Sequence, residues 1–60
     1  MKYNIFQWQD RNSGRIISEH KTKREARAEA KRTAGSHYTI QDSGGGFEEY
    51  ENGERVSWSL

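Results

Sequence analysis

The alternation of apolar and polar residues divides the chain into short strands around a single helix. Residues 2–9 are rich in aromatics and read as a strand. In it Tyr3 and Ile5 point one way and Phe6 and Trp8 the other. Residues 10–14 form a turn cluster with Asn12-Ser13-Gly14 at its tip. Residues 15–20 can return as a second strand. Residues 37–42 alternate again, with Tyr38 and Ile40 on one face.

Residues 47–51 and 54–59 flank Asn52-Gly53, a strong two-residue hairpin signal. A regular register sets Glu51 opposite Glu54, Tyr50 opposite Arg55, Glu49 opposite Val56 and Phe47 opposite Trp58. That register predicts Phe47, Val56 and Trp58 on the core side. It puts Tyr50, Arg55, Glu48 and Ser57 on the other side and makes the tip an acidic knob. Ser43-Gly44-Gly45-Gly46 reads as a flexible link. It lacks the Gly-Lys-Ser/Thr that reaches phosphate and magnesium in a phosphate-binding loop.

The period changes between Thr22 and Gly35. Thr22 followed by Glu25 is a capping-box pattern. Gly35 suits the left-handed residue that ends helices. Thr22, Ala26, Ala30 and Thr33 share one stripe, with Ala34 at its edge. A stripe so small in volume must lie close against bulkier residues. The expected fold is α+β: one helix packed on a small antiparallel sheet, in the order β(β)αβββ and in two layers. Residues 1–60 are expected to form a single small domain.

Arg24, Arg27 and Lys31 project from the other side of the helix, and Arg32 lies nearer Glu25 and Glu29. This face reads either as a basic binding ridge or as a solvated helix surface. Glu25 and Glu29 stand at i,i+4, and so do Arg27 and Lys31. Such like-charge spacing mildly opposes an isolated helix, so intrinsic helix stability did not select it.

Composition sharpens the picture in two ways. A chain of 60 residues buries only about 60% of its unfolded surface. No cysteine is present to staple it or to bind zinc. The core must therefore lean on Tyr3, Phe6, Trp8, Tyr38, Phe47, Tyr50 and Trp58, and docking on a partner would help. The net charge of +1 also hides a split. Residues 1–34 hold nine Lys/Arg against four acids, a balance of +5; residues 35–60 hold one against five, a balance of −4. Such asymmetry points to charged partners or to weak homodimerisation of opposite ends.

Little points to catalysis. His20 and His37 lack metal-ligand spacing, and a zinc site built from both is disfavoured. No nucleophile motif surrounds the serines. Glu48, Glu49, Glu51 and Glu54 read as solvated hairpin acids without the burial that shifts a pKa. The expectation is a non-enzyme without cofactor, metal or membrane span. The absence of a signal peptide suggests the cytoplasm. Nucleic-acid binding has more support. Lys23, Arg24, Arg27, Lys31 and Arg32 crowd one helix, where counterion release rewards phosphate contact. Trp8 and Tyr50 could stack on bases, with Arg55 beside Tyr50 in a secondary surface. A protein–protein role fits the two-signed surface equally well.

Three pieces of the chain carry a resemblance: Met1-Lys2 with the apolar first strand, Ala30-Lys31-Arg32-Thr33-Ala34 at the helix end, and Gly46-Phe47, Tyr50 and Gly53-Glu54-Arg55 in the hairpin. In these the sequence resembles small phage-encoded anti-CRISPR proteins that inhibit type I-F surveillance complexes. The likeness spans most of the chain, with gaps over residues 36–46 and in the final strand. The acidic hairpin departs from it. The resemblance implies a stoichiometric inhibitor in the host-cell cytoplasm. It would dock on the repeated backbone subunits of the complex and block pairing of guide RNA with target DNA. It makes Lys31 and Arg32 contacts to the complex or to DNA drawn towards it. The face analysis adds Lys23, Arg24 and Arg27. The alternative is a sequence-nonspecific nucleic-acid-binding module that uses the same basic helix.

Overall fold

The computed structural model describes residues 2–59 and gives the α+β fold that the pattern predicts. Strands β1 (Tyr3–Trp8) and β2 (Gly14–His20) precede helix α1 (Lys23–Thr33). Strands β3 (His37–Asp42), β4 (Phe47–Glu51) and β5 (Glu54–Trp58) follow it. The five strands form one sheet in the order β2-β1-β3-β4-β5, with every neighbouring pair antiparallel. The region 15–20 is thus a strand, at one edge of the sheet, and the chain returns through the helix to place β3 on the far side of β1.

The helix begins and ends where its caps predict. Thr22 is extended, and its Oγ1 accepts the Glu25 N–H at 3.1 Å. Ala34 closes the last turn through its N–H to the Ala30 carbonyl, and Gly35 follows at φ +77°. Ala26, Ala30 and Ala34 are buried, whereas Thr22 and Thr33 are exposed. Small side chains let the helix approach the sheet closely. Ile5, Tyr38 and Ile40 fill the space beneath, flanked by Tyr3, Ile17 and Tyr50. Ile5 and Ile40 are almost wholly buried, and each contributes about 1.5–3 kcal/mol through its burial.

Two bulges decide which side chains meet the helix. Between β1 and β2, Ile5 pairs with Ser18 but Phe6 pairs with Ile16, so Ile17 is the extra residue. Ile17 packs on the core, while Ile16 stays 56% exposed. Between β4 and β5, Tyr50 pairs with Arg55 but Glu49 pairs with Ser57, which leaves Val56 extra. The regular hairpin register therefore holds only at its tip. Asn52 and Gly53 have φ of +52° and +84°, as a two-residue turn with both centres left-handed requires. Beyond the bulge, Trp58 lies opposite Glu48 rather than Phe47.

Tyr50 and Glu48, expected on the outer side of this hairpin, turn towards the helix instead, and the bulge leaves Trp58 on that same side, opposite Glu48. Tyr50 stacks on Tyr38 at 5.0 Å on the helix side, and Glu48 is buried there. Phe47, Val56 and Trp58 remain 36%, 47% and 49% exposed. Residues 43–46 are not a loose link either. The Asp42 carboxylate accepts the N–H groups of Gly44 and Gly46, both at 2.8 Å, and ties the turn to the end of β3.

The face away from the helix has its own small cluster. Phe6 meets Trp8 edge-on at 4.8 Å, and Trp8 Nε1 donates to Thr39 Oγ1 at 2.9 Å. The Phe6 ring lies across Gly14. A Cβ there would stand 2.5 Å from Phe6 Cε1 and 2.5 Å from the Gln7 carbonyl oxygen. Gly14→Ala must push both apart, and the expected cost is about 1–3 kcal/mol in denaturant unfolding. Unchanged stability would show that Phe6 does not lie over this glycine.

Candidate functional site: a basic cleft around a buried glutamate

The helix covers β1, β2 and β3 but not the outer hairpin. The helix-side face of β4 and β5 is left open beside it. Two adjoining grooves, of about 580 and 320 Å3, occupy this space. Lys23, Arg27 and Lys31 border them from the helix, and Tyr50, Arg55 and Trp58 from the hairpin. The four cations Lys23, Arg27, Lys31 and Arg55 face two acids, Asp42 and Glu48, so the cleft carries a surplus of two positive charges.

Glu48 organises this cleft. It pairs with Ile40 in the register of β4 on β3, which turns its side chain towards the helix. Arg27 grips both its oxygens, Nε to Oε1 at 3.0 Å and Nη2 to Oε2 at 2.5 Å. Arg55 Nη1 reaches Oε2 at 3.2 Å, and the Tyr50 hydroxyl donates to Oε1 at 3.2 Å. Lys23 Nζ stands 4.0 Å away. Arg55 in turn lies over the Trp58 ring at 4.3 Å, a cation–π contact that holds both at the cleft wall.

The two-oxygen grip of Arg27 holds the Glu48 carboxyl below the usual glutamate range, against the opposing effect of its burial. Burial raises the hydroxyl pKa of Tyr50 and of Tyr38 beneath it. Glu48 is thus not the solvated acid expected of the hairpin. It is 6% exposed, and it is charged because the helix supplies its counter-ions. Sequence reasoning placed Tyr50, Arg55 and Glu48 on one side of the hairpin. An acid, an arginine and a tyrosine so grouped, facing a basic helix, was the available signal for this site.

The residues expected to bind a partner divide accordingly. Lys23 and Arg27 lean over Glu48, yet their side chains remain 45% and 44% exposed. Lys31 borders the second groove and, among the described residues, has no recorded ion-pair partner. Arg32 pairs with Glu29, and its side chain stays 68% exposed. Arg24 is exposed outside both grooves. Of the secondary surface, Tyr50 and Arg55 join the cleft. Trp8 does not: it lies across the sheet, stacked on His37. His20 and His37 are likewise apart, one at the end of β2 beside Tyr3 and the other at the start of β3 beside Glu51. Among the described residues no helix is long and apolar enough to cross a membrane. Comparisons with protein-family models, curated proteins and solved structures find no match for this chain.

Glu48→Gln keeps the shape of the side chain but removes the charge that three cations address. Loss of about 1.5–3 kcal/mol is expected near neutral pH. A carboxylate with a folded-state pKa below its unfolded value stabilises the fold above the unfolded pKa. That contribution disappears as pH falls through the folded pKa. With the ordinary value at 4.5, the wild type should lose stability more steeply than Glu48→Gln on acidification below it. Parallel stability curves for the two proteins would contradict the ion-paired Glu48.

Proposed function

We propose that this protein acts by docking rather than by catalysis, with the basic cleft and the adjoining helix face as its contact surface. The observation that carries this reading is the surplus of cations along the cleft. One buried acid is shared among Lys23, Arg27 and Arg55, and Lys31 and Arg24 are left to meet charge from outside. Cations already held in place lose less conformational freedom when a partner arrives. Such a surface suits an acidic element of another macromolecule and speeds oriented encounter.

In line with the resemblance of its sequence, the partner is a protein complex that handles nucleic acid. The protein would be a stoichiometric, anti-CRISPR-like inhibitor. It would seat its helix on the backbone subunits of a surveillance complex and deny them target DNA, in the host-cell cytoplasm. Direct nonspecific binding of nucleic acid through the same cations is the alternative. The placement of Trp8 on the opposite face of the sheet weighs against a single strand that stacks on Trp8 while touching the helix.

Lys31 and Arg32 are exposed, so Lys31→Glu with Arg32→Glu should leave the fold intact. The double variant should bind a purified type I-F surveillance complex at least about tenfold more weakly, near 1.4 kcal/mol. It should also fail to block target-DNA binding at equimolar ratio. Full inhibition by the double variant would remove these residues from the contact. Tight, salt-sensitive binding of the wild type to a random DNA duplex, with no effect on the complex, would favour the alternative.

A further inference from the structure

The face of the sheet opposite the helix brings together three side chains that the basic cleft does not use. His37 begins β3, and its cross-strand partner on β4 is Glu51. Glu49, two residues before Glu51, projects to the same side. His37 Nε2 lies 2.5 Å from Glu49 Oε2 and 3.7 Å from Glu51 Oε1. One nitrogen and two carboxylate oxygens, all within 4.8 Å of one another, converge on one point at the surface.

We propose that His37, Glu49 and Glu51 form a binding site for a divalent transition-metal ion of the zinc type. The donor set selects the metal class. An imidazole with two carboxylates suits zinc, cobalt, nickel or manganese, whereas magnesium and calcium favour oxygen donors alone. Bonds of about 2.1 Å in a tetrahedral arrangement put donor atoms about 3.4 Å apart. The His37–Glu49 and His37–Glu51 separations of 2.5 and 3.7 Å lie on either side of that spacing, and all three donor atoms fall within 4.8 Å of one another, so metal binding requires the two glutamates to rotate about the fixed ring.

Two further features point to a cation here. First, the imidazole is held in place. It stacks on Trp8 with centroids 5.4 Å apart and planes 19° from parallel, and Trp8 is itself anchored by its hydrogen bond to Thr39. A ligand so oriented loses little freedom when it binds metal. Second, the local charge is unbalanced. Glu51 lies directly opposite Glu54 at the hairpin tip, a like-charge pair that weakens strand pairing. A bound dication relieves this repulsion. The site is open to solvent on the Glu51 side, which is 53% exposed. Remaining coordination positions are accessible to water or to a carboxylate or imidazole from a partner.

The test is titration of zinc chloride into the tag-free full chain by isothermal titration calorimetry. One saturable site per chain is expected. His37→Gln and Glu49→Gln should each weaken binding about tenfold or more, while His20→Gln, remote from the site, should bind as the wild type does. Where circular dichroism shows that His37→Gln has lost its fold, Glu49→Gln and Glu51→Gln decide. Trp8 provides an independent reading. In a Trp58→Phe background it is the sole tryptophan, and nickel should quench its emission as the His37 ring is ligated. Absence of saturable zinc binding, wild-type affinity in both Glu49→Gln and Glu51→Gln, or nickel binding without quenching of Trp8 would each overturn the proposal.

Discussion

The contact between Arg27 and Glu48 joins the two oppositely charged halves of the chain. Arg27 comes from the basic helix and Glu48 from the acidic hairpin, and their carboxylate–guanidinium grip bridges the gap that apolar packing leaves unfilled. The helix packs through alanines on β1, β2 and β3. Its backbone does not come close to β4, whose Tyr50 only flanks the core. Without an ionic tie the outer hairpin would depend on strand pairing and on the stack of Tyr50 against Tyr38. A charge buried at this depth is tolerated only where hydrogen bonds satisfy it, and Glu48 receives them from Arg27, Tyr50 and Arg55.

The same contact explains a helix pattern that looks unfavourable in isolation. Arg27 and Lys31 repel at i,i+4, as do Glu25 and Glu29. In the folded chain Arg27 turns aside to Glu48 and Glu29 pairs with Arg32, so each like-charged pair gives up one member to another partner. What remains pointing outward is the acid Glu25, in the first turn, and the cations Arg24 and Lys31. The pairing of Arg27 with Glu48 and the exposure of Lys31 and Arg24 are thus consequences of one arrangement.

Local signals were legible in the residues, and long-range register was not. Thr22, Gly35 and Asn52-Gly53 act within a few residues of themselves, and each sits where local chemistry puts it. Tyr3 and Ile5 share the core-facing side of β1 because a period of two needs no partner to define it. The bulge at Val56 is different. It shifts the pairing beyond Tyr50 by one residue, and no turn residue near it announces the shift. The facing of Glu48 was missed for another reason: an acid flanked by acids reads as solvated until its pairing with Ile40 sets it beside the helix. Likewise the meeting of His37 with Glu49 and Glu51 follows from the pairing of β3 with β4, which alternation alone cannot specify.

Titration of the Glu48 side-chain carboxyl, followed by carbon-13 NMR on the folded protein, reads the central ion pair directly. A midpoint clearly below the ordinary glutamate value of 4.5, rising towards it in Arg27→Gln, is the predicted result. A midpoint at or above 4.5 in the wild type would contradict it: burial would then outweigh the arginine, and the basic helix would not be tied to the hairpin through this glutamate.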